Sequence, residues 1–322
     1  MEKTTVASSG YASNVFAKNK DFWNNYLEGR PTAPPCFFER LFRYHEAHHG
    51  HFGTVHDVGA GNGPYASVLR SKFAHVIVSD IAAENVALAE KRLGADGFSY
   101  RVSRLEDGDD ILPGSVDMVF ATNVLHFCDQ DVALKAVARQ LRPGGTFACA
   151  AFGAAQFADA RVQDIYTRIG HAGARILLGT LHDPEKLVRA MDRTQGDYNV
   201  APLNQGLFLP GAQRVSLNMP VGGITSPLPP EMEVAQRDPS YVGANDVLVH
   251  EEEDGWSFVM DIGQIRAHVE SFPFGKDVAS VLGPLWREME DAVQGRRIGG
   301  YWPAKIILAT RNDATVDLGV SE

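Results

Sequence analysis

Short apolar runs alternate with segments of helical periodicity through the middle of the chain. The helical segments include Ala83 to Leu93, which Gly94 ends, and Asp131 to Leu141. The apolar runs are Thr54 to Val58, His75 to Ser79, Phe98 to Val102, Val116 to Thr122 and Thr146 to Phe152. Because strands that alternate with helices are typical of parallel sheets, residues 54–152 predict an α/β core.

The segments on either side of this core do not keep the alternation. Residues 1–53 are rich in aromatic residues and predict helices, whereas residues 220–245, rich in Pro and Gly, predict a loop. Further helical patterns lie at Val162 to Ile169, from Asp183 onward, at Ile262 to Phe272 and at Val278 to Val293, and strand patterns lie at Arg214 to Met219 and Tyr301 to Thr310. We therefore divide the chain into an N-terminal helical segment (1–53), a core (54–152), an insertion that contains one strand (153–300), and a final strand with its tail (301–322).

The first predicted strand runs directly into three glycines at alternate positions. The segment reads Val55-His-Asp-Val-Gly-Ala-Gly-Asn-Gly63, and a helix is predicted from Tyr65 to Phe73. Glycine lets the backbone approach a ligand closely, and the N–H groups at the start of the helix would face the same point. Pro64 stands where a dinucleotide-binding loop needs its third glycine. The loop therefore indicates a nucleotide site of another kind at the carboxyl end of the first strand.

Two acidic positions follow the next predicted strands. Asp80 ends the second strand, where a carboxylate can accept hydrogen bonds from both hydroxyls of a ribose; the alternative is a cap of the next helix. The run Arg104-Leu-Glu-Asp-Gly-Asp-Asp110 follows the third strand. Its first residues, Leu105 and Glu106, are candidates for the adenine edge, and the alternative is a solvated acidic loop.

The segment Thr122-Asn-Val-Leu-His-Phe127 follows the fourth predicted strand at the same edge. The backbone around Asn123 could accept a hydrogen bond from an ammonium group of the ligand. His126 would then stand near the reactive end, and histidine suits general-base work near neutral pH. The alternative for His126 is a residue that only packs or hydrogen-bonds in the wall of the site.

These motifs together resemble the class I S-adenosylmethionine (SAM) methyltransferases. The matching segments, in order, are Asp57-Val-Gly-Ala-Gly-Asn-Gly63, Asp80, Ser115-Val-Asp117, Asn123-Val-Leu-His126 and Leu141-Arg-Pro-Gly-Gly145. The aromatic N-terminus and the ending Tyr301-Trp-Pro-Ala-Lys-Ile-Ile are similar to the trans-aconitate-methyltransferase-like branch, which includes many fungal small-molecule enzymes. The His-Trp pair of that branch is replaced here by His126-Phe127.

The resemblance implies a fold, a cofactor and a set of site residues. The fold is a Rossmann-like, mostly parallel sheet of seven strands in the order 3-2-1-4-5-7-6, with the last strand antiparallel and a lid formed by the N-terminal segment and the insertion. The cofactor is SAM, and the implied cofactor-binding residues are Asp57, Gly59, Ala60, Gly61, Gly63, Asp80, Ile81, Leu105, Glu106, Asn123 and Val124. His126 is the candidate catalytic residue, and Tyr26, Arg161 and Trp256 are candidates for contact with the acceptor.

Composition narrows the possible classes of partner. The formal net charge is −10, which disfavours a nucleic-acid-binding surface, and no apolar run is long enough to span a membrane. Three widely spaced cysteines indicate free thiols in a reducing compartment, so we expect a cytoplasmic enzyme. The sequence makes no prediction of oligomeric state.

Several functional alternatives stay open at this point. The segment His45-Glu-Ala-His-His49 matches a zinc-protease motif, but it lies in a nucleotide-binding fold, so we expect the match to be accidental and no metal to be bound. We expect methyl transfer to a small molecule, with a carboxylate or another oxygen favoured as the acceptor and the tailoring of natural products as a candidate role. The alternatives are a non-methylating reaction in the same fold, such as a pericyclic or elimination step, and a SAM-binding regulatory protein.

Overall fold

A mixed eight-stranded sheet forms the centre of the molecule in the computed structural model. The structure describes residues 29–30, 32–198, 200–225, 228–232, 234, 237–272, 274 and 279–313. The strands are β1 Thr54–Val58, β2 His75–Asp80, β3 Phe98–Val102, β4 Val116–Thr122, β5 Leu141–Phe152, β6 Gln156–Phe157, β7 Gln213–Leu217, β8 Val247–Glu251, β9 Ser257–Met260, β10 Ile298–Tyr301 and β11 Ala304–Thr310.

Helices flank the sheet, and further helices lie in the insertion before the final strands. They are α1 Pro35–Ala47, α2 Ala66–Arg70, α3 Ala83–Leu93, α4 Gln130–Gln140, α5 Ala160–Gly179, α6 Glu185–Thr194, α7 Ile262–Glu270 and α8 Ala279–Val293. Short 3-10 turns lie at Leu125–Phe127 and Asp254–Trp256. None of these helices is both long and apolar enough to cross a membrane.

The strand order is β3-β2-β1-β4-β5-β11-β7-β8. With β7 as the predicted sixth strand and β11 as the predicted seventh, the predicted Rossmann-like order is confirmed. Strand β11 is antiparallel to both β5 and β7, whereas β1 is parallel to β2 and β4. An eighth strand, β8, which we did not predict, pairs in parallel with β7 and extends the edge. The carboxyl ends of β1, β2, β4 and β5 consequently share one edge, where the site forms.

A second, three-stranded sheet, in the order β6-β10-β9, lies beyond the end of β5. The predicted single strand from Tyr301 to Thr310 is divided into β10 and β11, because Trp302 and Pro303 leave the ladder between them. Pro303 has no N–H to donate, and the N–H of Trp302 bonds to the carbonyl of Trp256 instead. Because of this break, the segment contributes β10 to the second sheet and β11 to the central sheet.

The N-terminal helix α1 packs its aromatic face on the central sheet. Phe37 is fully buried and lies edge-on to the rings of Phe120, Phe152 and Trp256. Such ring pairs contribute about 0.5–1.5 kcal/mol each beyond the burial of their area. The aromatic cluster therefore fixes α1 beside the ends of β4 and β5.

Candidate active site

A cavity of about 700 Å³ opens at the carboxyl edge of the central sheet. This volume lies in the range of roughly 300–1,000 Å³ that is typical of ligand sites. The predicted residues that line it are Asp57, Gly59, Ala60, Gly61, Asp80, Ile81, Leu105, Glu106, Asn123, Val124 and His126. Helices α5, α6 and α7 supply much of the opposite wall. The strand ends and the insertion thus enclose one continuous space.

The glycine loop has the left-handed backbone that only glycine adopts without strain. Gly59, Gly61 and Gly63 have φ angles of 60°, 56° and 73°. A Cβ on Gly59 would overlap the Cγ2 atom of Val124, so this position requires glycine for close packing as well. Gly63 does not line the cavity, and its carbonyl accepts from the guanidinium of Arg92 on α3. The structure therefore gives Gly63 a place in the turn rather than in the wall predicted for it.

Asp80 ties the glycine loop to the start of α3. Its Oδ2 atom accepts from the Gly61 N–H at 2.9 Å, and its Oδ1 atom accepts from the Ala82 N–H at 2.9 Å. The Asn85 side chain also donates to Oδ1, at 3.0 Å. Burial raises the pKa of this carboxyl, while the three donors lower it. A carboxylate offers about four acceptor positions, so capacity is left on the side that faces the cavity.

Asp57 is a buried carboxyl that lacks a hydrogen bond on one oxygen. Within the described part of the chain, Oδ2 of Asp57 has no partner, although the side chain lies in the cavity wall. Burial first, and the charge of Asp80 second, raise the pKa of Asp57 to about 8. Because an unsatisfied buried oxygen is costly, a ligand that brings a hydrogen-bond donor or a positive charge fits this wall.

The candidate adenine wall is built from the loop after β3. Leu105 is buried, and Glu106 accepts a hydrogen bond from the Asp129 N–H at 3.0 Å. This bond ties the loop to the start of α4. The acidic run is therefore anchored at Leu105 and Glu106, whereas Asp109 and Asp110 beyond it are exposed.

Asn123 turns the chain sharply at the end of β4. Its φ angle is 55°, a left-handed conformation that asparagine tolerates better than most residues. Its Oδ1 atom accepts from the Phe152 N–H at 2.9 Å, and its own N–H donates to the Ala150 carbonyl at 2.8 Å. These two bonds lock the turn to β5 and place Val124 and the following 3-10 turn against the cavity.

His126 lies in that 3-10 turn and is 6% exposed. Burial, with the positive charge of Arg193 second, lowers the pKa of His126 to about 3, so the ring is neutral near pH 7. Its Nδ1 atom lies 3.4 Å from the Tyr198 hydroxyl, and its carbonyl accepts from Arg193 at 3.1 Å. A ring that is buried and lies beside the Tyr198 hydroxyl is what the wall interpretation of His126 predicts.

The three residues that we predicted for the acceptor do not come together in the cavity. Tyr26 lies outside the described residues. Arg161 is exposed on α5 and is absent from the cavity wall. Trp256 is 1% exposed, donates from Nε1 to Glu253 at 3.1 Å, and packs in the aromatic cluster around Phe37. The structure therefore does not bring Arg161 and Trp256 to this cavity: Arg161 faces solvent, and Trp256 lies in the core.

The wall opposite the glycine loop contains residues that we did not predict. One face of α5 contributes side chains at helical spacing, namely Gln163, Tyr166, Thr167, Gly170, His171 and Ala174, and the region of α7 contributes His268, Phe272 and Phe274. The stripe on α5 mixes polar and small residues, so it has no strong apolar signal. Their spacing of three and four residues places these side chains on one face of a helix, and this spacing was the signal available in the sequence.

The histidines of the zinc-protease motif have structural partners. His45 is buried, with Nδ1 at 2.7 Å from the Thr146 hydroxyl and Nε2 at 2.9 Å from the His51 carbonyl. His49 is exposed, with a φ angle of 59° just beyond the end of α1. The described ranges contain no group of three or more His, Cys, Asp or Glu side chains placed to hold a metal ion.

Comparison with known proteins agrees with this geometry. Residues 56–149 match the family model of the methyltransferase domain. A methyltransferase of Claviceps purpurea is 73% identical over 98% of this chain and 100% of its own length. The methyltransferase AacuQ of Aspergillus aculeatus is 64% identical over 97% of this chain and 100% of its own.

A solved structure supports the fold independently. A protein of Anaeromyxobacter dehalogenans, assigned as a type II methyltransferase, superimposes with a TM-score of 0.55 over 87% of this chain and 97% of its own, at 18% identity. At this identity the likeness shows the fold alone. With the two fungal relatives it agrees with the family model. The chain belongs to the class I SAM-dependent methyltransferases, and its cofactor is S-adenosylmethionine.

Proposed function

We propose that this methyltransferase transfers the methyl group to a carboxylate oxygen of a small molecule. The observation that supports this proposal is that neither buried histidine of the cavity wall is placed as a general base: both ring nitrogens of His268 are engaged, by Tyr166 and by the Gly29 carbonyl, and Nδ1 of His126 lies 3.4 Å from the Tyr198 hydroxyl. Burial lowers the pKa of His126 and of His268 to about 3 in each case. A carboxylic acid ionises near pH 4 without help, whereas a phenol with a pKa of about 10 needs a base. A site of this character suits an acceptor that arrives as an anion.

The predicted cofactor residues are proposed to hold SAM along the strand ends. Asp80 would accept from the ribose hydroxyls, Leu105 and Glu106 would contact the adenine, and the backbone near Asn123 would accept from the ammonium group. Asp57, with its unsatisfied oxygen, supports a cationic ligand in the same wall. When bound there, SAM supplies an electrophilic methyl group on a sulfonium centre.

The protein's own contribution would be alignment and the exclusion of water. The aromatic side chains of Tyr65, Phe127 and Phe152 line the cavity and offer apolar surface to an acceptor skeleton. Holding the acceptor oxygen in line with the methyl group removes the entropic cost of a bimolecular encounter. We infer that residues 153–300, which supply α5, α6 and α7, form the acceptor-binding part of the enzyme.

The proposal is tested by incubating the enzyme with SAM and a panel of aromatic and aliphatic carboxylic acids. Mass spectrometry should find a product that is heavier by one CH₂ group. Mild alkali should remove the added methyl, because esters hydrolyse under conditions that leave aryl ethers intact. The Gly59→Val variant, which cannot accommodate the turn beside Val124, should give no product.

Two results would contradict the proposal in different ways. An alkali-resistant methyl group would place the acceptor on a phenol, amine or carbon. Tight SAM binding without any methylated product across the panel would instead favour the non-methylating or regulatory alternatives.

A further inference from the structure

Two buried side chains in the insertion form a hydrogen-bonded pair inside the cavity wall. The hydroxyl of Tyr166 on α5 lies 2.8 Å from Nε2 of His268 on α7. Nδ1 of His268 lies 2.6 Å from the carbonyl of Gly29. Tyr166 is 5% and His268 1% exposed, and both line the cavity. Neither side chain belongs to the cofactor motifs.

The direction of both hydrogen bonds is determined by chemistry. A backbone carbonyl only accepts, so Nδ1 of His268 must carry the proton that it shares with Gly29. The ring is neutral because burial lowers its pKa to about 3, and Nε2 is consequently an acceptor. The Tyr166 hydroxyl must therefore donate to Nε2. Burial also raises the pKa of Tyr166, so the phenol keeps this proton.

The Tyr166 oxygen can form further hydrogen bonds only as an acceptor. A hydroxyl has one proton and two lone pairs. The proton points at His268, so the lone pairs are what the hydroxyl offers to a donor that enters the cavity. A ligand group that can only accept, such as an ether oxygen, would face these lone pairs without donating to them.

Aromatic side chains adjoin the pair in the cavity wall. The ring of Phe272 packs edge-on to His268, with the centroids 5.0 Å apart. Phe272 in turn stacks near Phe274 at 5.5 Å, and the Arg30 guanidinium lies 4.7 Å from the centroid of the Phe272 ring. This combination of an acceptor oxygen, aromatic rings and one cation matches an aromatic acid that carries a hydroxyl group.

We propose that Tyr166, oriented by His268 and the Gly29 carbonyl, selects acceptors that carry a hydroxyl group in addition to the group that is methylated. The inference rests on the proposed carboxyl methylation for the identity of the second group. Tyr166 acts here by binding the substrate, and His268 is a positioning residue that directs the tyrosine proton away from the cavity.

The test uses isomeric hydroxynaphthoic acids, each paired with its own methyl ether. The wild-type enzyme with SAM should turn over at least one hydroxy acid about tenfold more efficiently, in kcat/KM, than the matched ether, as one hydrogen bond to a buried acceptor allows. Tyr166→Phe should remove this preference. The matched control is Tyr44→Phe, which deletes another buried hydroxyl, bonded to Thr310 and outside the cavity, and should keep the preference.

Two variants of His268 separate positioning from simple packing. In His268→Gln the amide can still donate to Gly29 and accept from Tyr166, so the preference for the hydroxy acid should persist. In His268→Phe the Tyr166 proton loses its acceptor and becomes available to an ether oxygen, so the preference should fall toward unity. A purely structural role would lower kcat/KM for both members of a pair equally.

The outcomes distinguish this inference from the proposed function. Equal use of every hydroxy acid and its ether by the wild type, or a preference that survives Tyr166→Phe, would overturn the role of Tyr166 whether or not esters form. If no acid is methylated, the carboxylate proposal fails, and calorimetric binding of the same pairs to the enzyme loaded with S-adenosylhomocysteine still measures the hydroxyl preference. Absence of binding by every hydroxy acid would also overturn the inference.

Discussion

At the scale of single residues, the helix cap and the ribose contact that the sequence offered as alternatives for Asp80 are compatible with each other. Its carboxyl accepts from the N–H groups of Gly61 and Ala82, so it fixes the glycine loop and the start of α3 together. The same side chain lines the cavity. A single carboxylate with several acceptor positions can organise the loop and still bind a ribose.

Substitution of Asp80 by Ala should weaken SAM binding by roughly 1–3 kcal/mol, because charge-assisted hydrogen bonds are lost. Isothermal titration calorimetry measures the change, and thermal unfolding reports whether the loop has lost stability as well. Asp164→Ala, which removes an exposed carboxylate from α5, is the matched control and should leave affinity unchanged. Equal affinities of the wild type and Asp80→Ala would exclude a ribose contact.

His126 gives the sharpest residue-level prediction about mechanism. His126→Ala should keep SAM affinity within a few fold and lower kcat by less than about tenfold, because a wall residue contributes packing rather than proton transfer. Loss of a general base would instead lower kcat by roughly 10²–10⁴. Steady-state kinetics with an acid that the enzyme methylates decide between the two magnitudes.

At the scale of elements, an arginine on α6 connects the insertion with the turn that carries His126. Arg193 donates to the carbonyls of His126 and Cys128 at 3.1 and 3.0 Å, and its Nε lies 2.6 Å from Asp238. Asp238 also pairs with Arg189. Both partners of the Arg193–Asp238 pair are largely buried, with side-chain exposures of 13% and 8%.

Arg193→Met should lower the free energy of unfolding by about 3 kcal/mol, since it leaves buried acceptors without a donor. It should also raise the KM of the acceptor more than it lowers kcat. Chemical denaturation and kinetics measure the two effects. The exposed pair between Arg168 and Asp164 is the comparison, and its removal by Asp164→Ala should cost no more than about 1 kcal/mol. Similar costs for both pairs would contradict the assigned role of Arg193.

The sequence predicts best the elements whose buried positions appear as a recognisable run or spacing of apolar residues. Strands β1 to β4 are short runs that form where predicted, whereas β5 begins at Leu141, five residues before the predicted start at Thr146. Strand β8 has four exposed residues among its five, so its sequence shows no alternation of buried and exposed positions that would predict a strand. Strand β10 contains two glycines and exists because β6 and β9 pair with it. Pairing partners that are distant in sequence cannot be deduced from a local pattern.

At the scale of the whole molecule, most residues predicted for the cofactor come together in one cavity, whereas those predicted for the acceptor do not. The residues predicted for the cofactor lie in loops directly after strands, so their meeting point follows from the order of the sheet. Tyr166 and His268 are 102 residues apart, and only the packing of α5 on the α7 region brings them together. Arg161 and Trp256 were chosen by residue type, which does not specify the direction of a side chain.

The molecule as a whole should be sensitive to acid because it buries neutral histidines. Burial lowers the pKa of His56 to about 4, while Gln140 and Ser79 hold its ring nitrogens. Below pH 6.5 the unfolded chain binds a proton at this residue that the folded chain does not. Stability is therefore lost as pH falls from 6.5 toward 4, by about 1.4 kcal/mol per pH unit for this one group.

His56→Gln removes this titration, so the difference in unfolding free energy between wild type and variant should change by about 1.4 kcal/mol per pH unit between pH 6.5 and 4. Chemical denaturation at several pH values measures the difference and cancels the other titrating groups. Parallel pH profiles for the two proteins would show that His56 is not held neutral in the folded state.

The measurement that tests the central claim most directly is the pH dependence of kcat at saturating SAM and acceptor. The claim is that the cavity methylates an oxygen that is already anionic and uses no protein base. It predicts a kcat that is constant from about pH 6 to pH 8, because a carboxylic acid is fully ionised above about pH 6. A kcat that rises about tenfold per pH unit across this interval would show that a proton must leave the enzyme or the acceptor first, and would contradict the account.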